Sequence, residues 1–269
     1  MIRTHLDRGI WAIALLATLG FTGTAWAVQP VDCSTTLNIS DGQYTACFTD
    51  VRRGADINDD NALDLGGTGH TALNFTGGAG PAGDTWLTKY TPNGTAVVCD
   101  ASTTAVTLVA DVLIHTYNNT KGAGLVALLD SAPGGKGLAL MLYDQGNSDA
   151  LQLATINPAT GRLTKLTGSV SLGAGFAENA WYNVAVSVTA SLSADLLIVS
   201  AGVRRHTIPT DPNSGLAGQV GPQLFFQGGL SEAGLDSEGE VGIAASAFST
   251  NVNSSVTNFR IAGACRPQR

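Results

Sequence analysis

Trp181-Tyr182-Asn183-Val184-Ala185-Val186-Ser187-Val188 is the stretch that decides the fold. Large apolar residues stand at 182, 184, 186 and 188, with Asn183, Ala185 and Ser187 between them. A period of two is the mark of a strand with one face on a core. Working outward, short apolar or alternating stretches recur at Val106–Ile114, Gly124–Leu129, Leu138–Tyr143 and Ala150–Ile156. Asn157-Pro158-Ala159-Thr160-Gly161 reads as a hairpin turn ahead of Leu163. Downstream, Leu196–Val203, Gln223–Phe226, Val241–Ala245 and Val256–Ile261 complete the series. Glycine, asparagine and aspartate separate these runs, and no amphipathic helical pattern intervenes. The spacing predicts an all-β protein, a two-sheet antiparallel β-sandwich of the jelly-roll kind.

Residues 33–98 are weaker in pattern. Tyr44–Thr49, His70–Phe75, Thr85–Tyr90 and Ala96–Val98 read as strands between loops rich in glycine and aspartate. No linker of proline, serine or threonine sets them apart, so residues 28–269 are expected to form one domain, with 99–265 as the main sandwich.

The first 27 residues read as a leader rather than as structure. Arg3 and Arg8 precede an apolar run from Ile10 to Phe21, and Ala25-Trp26-Ala27 is an A-x-A cleavage pattern. The run is shorter than the roughly 20 residues that span a bilayer. Loss of Arg3, Asp7 and Arg8 with the leader takes the formal net charge from −7 to −8. An acidic chain disfavours nucleic acid and anionic membranes. Charged residues make up 13% and glycines number 33, which suits a turn-rich β protein and not a helical bundle.

The four cysteines are Cys33, Cys47, Cys99 and Cys265. An even number in an exported chain points to two disulfides, for which three pairings exist. Cys33–Cys47 with Cys99–Cys265 is the favoured set: one short loop and one tie between the ends of the main sandwich. No C-x-x-C spacing occurs, which argues against a zinc or redox centre.

Several segments together resemble the concanavalin A-like lectin and glucanase superfamily, especially its laminin G-like bacterial exported members. They are Gly122–Leu129, Gly137–Leu140, Glu178–Val186, Gly239–Ala245 and the closing Val256-Thr257-Asn258-Phe259-Arg260-Ile261. The resemblance implies two packed sheets, one concave, with ligands held on the concave face or at a calcium-bearing rim. Its members include lectins, glucanases, polysaccharide lyases and adhesion modules.

Glucanases of this type carry E-x-D-x-x-E on one strand, because hydrolysis needs two carboxylates on the same side of the sugar. The chain has only Glu178, Glu232, Glu238 and Glu240 as glutamates. Asp236, Glu238 and Glu240 alternate, but in a stretch expected to be a loop. No Gly-x-Ser-x-Gly elbow surrounds a serine. His206, behind Arg204 and Arg205, forms a small basic spot that reads as solvated, or as a contact for an acidic sugar. No catalytic residue is assigned.

For metal, Asp56, Asn58, Asp60 and Asp64 fall at positions 1, 3, 5 and 9 of a calcium-loop spacing. Position 12 is Gly67, so the bidentate glutamate is missing and a structural Ca2+ role is expected rather than a regular helix-loop-helix site. For glycan, aromatic residues stack on sugars, and Trp86, Tyr117 and Tyr143 are the candidates. Phe225-Phe226 reads as a buried strand with one ring turned outward. Asn38, Asn74, Asn93, Asn118 and Asn253 stand in N-x-S/T sequons, and under a bacterial leader they are ordinary loop residues.

The sequence therefore leads to an exported, non-catalytic glycan-binding or surface-adhesion module with a polysaccharide or cell-surface partner. The alternatives are a glycoside hydrolase or polysaccharide lyase, and a structural envelope or matrix protein without a small ligand.

Overall fold

The computed structural model describes residues 47–52, 57–60, 72–77, 84–114, 121–144, 150–172, 180–211, 214–247 and 252–268. Two antiparallel sheets face each other. The first contains β1 (Phe48–Arg52), β4 (Asp84–Tyr90), β5 (Val97–Asp100), β7 (Lys121–Leu129), β8 (Gly137–Asp144), β9 (Ala150–Ile156), β10 (Leu163–Lys165), β11 (Val170–Ser171), β15 (Glu238–Ala247) and β17 (Cys265–Pro267). Its main path is β1-β4-β15-β7-β8-β9-β10; β5 joins β15 to β17, and β11 pairs with β9. The second contains β2 (Ile57–Asp60), β3 (Ala72–Gly77), β6 (Val106–Ile114), β12 (Trp181–Ser191), β13 (Leu196–His206), β14 (Leu216–Gly228) and β16 (Val252–Ala262). Its order is β14-β13-β12-β6-β16-β3-β2. The expected β-sandwich is what the chain forms, and β6 and β9 begin and end at the residues read from sequence. A single helical turn, α1 (Leu230–Ala233), ends on Gly234 at φ 66°, a left-handed conformation that glycine adopts without a Cβ penalty. Among the described residues no helix is long and apolar enough to cross a membrane.

The inward faces meet in one large core. Trp86, Leu125, Leu140, Leu153 and Ile243 come from the first sheet, and Leu108, Val184, Val186, Val199 and Val256 from the second. Phe48, Tyr90 and Phe259 close one end as three rings with centroids 5.3–5.5 Å apart. Cys99 and Cys265 are cross-strand partners on β5 and β17 and form a disulfide, as favoured from sequence. Their separation of 166 residues gives the bond a large effect on the unfolded chain, about 5 kcal/mol in the chain-entropy account. Cys47 is also disulfide-bonded; its expected partner, Cys33, lies outside the described residues, as does the leader.

The first sheet has a second apolar layer on its other face. Leu87, Val126, Leu129, Ala139, Met141, Tyr143, Ile156 and Ala244 form a buried cluster there. Val51 on β1 and Leu163 on β10, the two edge strands, pack against the same cluster. Arg52 Nη1 donates to the Ala159 carbonyl at 2.9 Å, tying β1 to the β9–β10 turn. The sheet therefore curls with this face on the inside. Glycine makes the curl feasible. A Cβ on Gly124 would stand 1.8 Å from the Leu140 carbonyl oxygen, and one on Gly242 would stand 1.9 Å from that of Thr88. Neighbouring strands approach so closely there that only hydrogen fits.

Candidate functional site

The outer face of the second sheet differs from that of the first. Along β12, Tyr182, Val184, Val186 and Val188 turn into the core, so Trp181, Asn183, Ala185 and Ser187 turn out. Register then sets the rows. Thr107, Ser187, Ser200 and Phe225 lie side by side across β6, β12, β13 and β14. Val109, Ala185, Gly202 and Gln223 form the next row, and Asp111, Asn183 and Arg204 the one after. The two central positions of the middle row, Ala185 and Gly202, are small, and a Cβ on Gly202 would meet nothing within 4 Å. The result is a narrow trough. Phe225, 62% exposed, stands on one side, and half-buried Arg204 and Asn183 stand on the other.

A buried polar cluster anchors the Arg204 side of the trough. Asp111 Oδ1 accepts from His206 Nε2 at 2.7 Å and from Asn183 Nδ2 at 2.9 Å, while Oδ2 accepts from Asn258 Nδ2 at 2.7 Å. Asp111 and His206 are each at least 95% buried. A carboxylate so placed is tolerated only when its lone pairs are satisfied, and three donors do that here. The backbone is shaped for it. Between Thr257 and Arg260 the β16 register shifts, and Asn258 sits at φ 52°. Asparagine is among the few residues at home in that left-handed region. The bulge re-aims its amide at Asp111.

The residues read from sequence fall elsewhere. His206 is not a solvated basic spot: the β13 register turns its ring onto the outer face, where Asp111 holds it. Trp86 is fully buried in the main core and Tyr143 is buried in the curled face of the first sheet, so neither ring is offered to a solvent-borne sugar. Burial pushes the Tyr143 phenol up to about 12, opposed in part by its hydrogen bond with Ser246. Tyr117 lies outside the described residues. Glu238 and Glu240 stand on strand β15, not in a loop. Glu238 pairs with Arg266, and Glu240 accepts from Lys89 Nζ at 2.9 Å. Asp236 is exposed and accepts from the Ser237 amide. Each carboxylate thus has its own partner, and the three do not form a pair across an open site.

Asn58 and Asp60 belong to β2, in register with Asn74 and Ala72 of β3. An extended strand replaces the turn expected at that point, because the β3 edge supplies it with a ladder. Asp56 and Asp64 lie outside the described residues. Among the described residues no three His, Cys, Asp or Glu side chains are grouped to hold a metal ion.

Sequence reading missed Asp111, Asn183, Asn258 and Phe225 as site residues. Asp111 carried a signal, being the only charge within Val106–Ile114. A charge inside an apolar strand needs a buried partner or an exposed face, and here it has the partner.

No family model matches the chain, and no curated protein matches it. Solved structures do. An alginate lyase in complex with an alginate trisaccharide aligns at 10% identity and a TM-score of 0.44, over 80% of this chain and 87% of that one. Lectin I from Ulex europaeus, in complex with the methyl glycoside of alpha-L-fucose, aligns at 11% identity and 0.44, over 84% and 94%. A glycoside hydrolase engineered to display endo-xylanase and exo-arabinofuranosidase activity aligns at 12% and 0.40, over 81% of this chain but 36% of that enzyme. None of these likenesses assigns a ligand or a residue role to the chain.

Proposed function

We propose that the protein is an exported, non-catalytic glycan-binding module of concanavalin A-like type, whose ligand lies in the trough on the outer face of the second sheet. The observation that carries this reading is the trough itself: a floor without side chain at Gly202, an exposed ring at Phe225 and polar groups at Ser200, Gln223, Arg204 and Asn183. A sugar presents one apolar face and a rim of hydroxyls, and an aromatic ring beside fixed polar groups meets both. The buried Asp111 cluster holds Asn183 and fixes the β12–β13 frame, so the polar side of the trough is preorganised.

Binding is favoured over hydrolysis because Glu238 and Glu240 are each held by a cation of their own. The disulfide between Cys99 and Cys265 suits an oxidising compartment and so supports export. Calcium at Asp56, Asn58, Asp60 and Asp64 is proposed as a stiffening ion, apart from the glycan site.

The test uses the protein expressed with its leader and recovered from the exported fraction. It is passed over immobilised neutral and acidic polysaccharides, with calcium and with chelator, and scored for retention and for new chain ends. Retention without new ends is expected. Gly202→Leu, which fills the trough, and Phe225→Ala are each expected to weaken retention tenfold or more while the melting temperature holds. That loss corresponds to about 1.4 kcal/mol or more. Retention untouched by both variants places the ligand elsewhere, and new chain ends sink the non-catalytic reading.

A further inference from the structure

The second sheet ends at β14 among the described residues. An edge strand offers a row of backbone donors and acceptors, and proteins normally blunt such edges with short length, charge, proline or a bulge. At 13 residues β14 is long, and Leu216–Gly228 contains no charged residue in a chain of net charge −7. Its blunting devices are confined to the first half. Pro222 lacks an N–H, and the register with β13 slips between Gly202 and Arg204 and again between Arg204 and His206. Beyond it, Gln223–Gly228 runs in unbroken register against Leu197–Gly202. On this segment stands Phe225, one of the few large apolar side chains left exposed.

We infer that the Gln223–Gly228 edge is a self-association surface, and that its occupant is the same segment of a second copy, paired antiparallel about a two-fold axis through Phe225. Charge selects the occupant. Two copies of an acidic chain repel over most of their surfaces, and this edge is a long uncharged approach. Parity selects the register. Leu224 and Phe226 turn to the core, so Gln223, Phe225 and Gln227 turn out. Opposed residues of an antiparallel pair share a face, so the axis passes through a residue and not between two. With the axis at Phe225, the exposed rings face each other, Gln223 faces the partner's Gln227, and Leu224 faces the partner's Phe226. Each match is like with like, as an isologous contact requires. The contact is confined to one strand edge, below the area of permanent dimers, so the dimer forms with rising concentration. It does not depend on the glycan reading, and its test contains no saccharide.

The experiment measures the mass of the full exported chain by sedimentation from micromolar to millimolar concentration. The expected result is a rise from one chain to two. Gln223→Lys with Gln227→Lys places like charges opposite each other at both ends of the seam, and is expected to hold the mass at one chain throughout. Gln223→Lys with Gln227→Glu sets opposite charges across the axis in this register alone, and is expected to restore the dimer. Both glutamines are exposed, and an unchanged melting temperature confirms that each variant folds. A wild-type mass fixed at one chain overturns the proposal. So does a double-lysine variant that associates like wild type, and so does failure of the lysine–glutamate variant to restore the dimer. As a second measurement, Phe225→Cys is expected to yield a disulfide-linked dimer under mild oxidation; a chain that stays single removes the axis from Phe225.

Discussion

The outer face of the first sheet and the outer face of the second are built on the same two-residue period, yet they have opposite fates. On the first, the outward positions of β7, β8 and β9 are mostly apolar or small: Val126, Ala139, Met141, Ala154 and Ile156 are fully buried, and the one amide among them, Gln152, donates to Ser169. The sheet curls over them, and Arg52 ties its edges. On the second, Leu113 and Trp181 are buried at one end, but the outward positions beyond them carry Thr107, Asn183, Ser187, Ser200 and Arg204, and the face keeps an exposed ring and a trough. Strands apolar at both parities need cover on both sides; strands that alternate need it on one. The concave face on which this fold was expected to hold ligands is therefore taken up by packing, and the exposed ring and polar side chains stand on the other sheet.

The largest effect follows directly. Val126→Asp puts a carboxylate into a cluster of Leu87, Met141 and Ile156 with no partner for it. The expected cost is several kcal/mol, comparable to the whole stability of an ordinary domain. Ser200→Asp introduces the same carboxylate on the other sheet, at an exposed position, and is expected to stay within about 0.5 kcal/mol. Urea unfolding of the two variants measures both. Equal costs would mean that the faces do not differ as described.

Much of this contrast was legible. Gly124–Leu129 and Leu138–Tyr143 read as apolar runs, and Trp181–Val188 as an alternation, so these strands follow from pattern, though both limits match only at β6 and β9. What local pattern leaves out is curvature and register. Trp86 and Tyr143 looked like stacking platforms because a ring on a strand has two faces to choose from: Trp86 turns into the core between the sheets, and Tyr143 turns to the outer face that only the curl of the first sheet closes. The Asp111 cluster draws on positions 111, 183, 206 and 258, which four strands bring together through ladder registers and one bulge. No spacing in the chain encodes that. Of the calcium-spaced residues Asp56, Asn58, Asp60 and Asp64, Asn58 and Asp60 lie on a strand paired with β3, and that pairing too is not written in the spacing. Cys99–Cys265, by contrast, was the favoured one of three pairings the sequence left open, as a tie between the ends of the main sandwich, and the chain forms it.

Glycine gives a sharper test of the same contrast. Gly242→Ala on the curled sheet drives a methyl into the Thr88 carbonyl, a backbone atom that moves only if β4 moves. A loss of about 1–3 kcal/mol is expected, in the range of overpacked cores. Gly202→Ala on the open sheet meets nothing within 4 Å, and a strand gains from losing a glycine. A change between zero and about +1 kcal/mol is expected. Thermal midpoints read the pair, and a destabilised Gly202→Ala would close the trough as a concept.

The smallest effect appears only in alkali, and it asks whether the curled face is dry. Tyr143 stands in that face with its phenol pushed up to about 12 by burial. A group whose folded pKa is raised adds stability that is whole below its ordinary value of about 10 and is lost as pH climbs through the raised one. Wild-type stability is therefore expected to fall between about pH 10 and 12. Tyr143→Phe removes that titration, but it also gives up the hydrogen bond with Ser246, at a cost of about 1 kcal/mol below pH 10. The gap between wild type and variant should thus narrow across the window, because only wild type has a buried phenol to ionise. Phenolate absorbance gives an independent reading. A slow-titrating tyrosine near 12 that is absent from Tyr143→Phe fits a closed face. If every tyrosine ionises near 10 in the folded protein, water reaches Tyr143, the first sheet is open, and the distinction between the two faces fails at its most sensitive point.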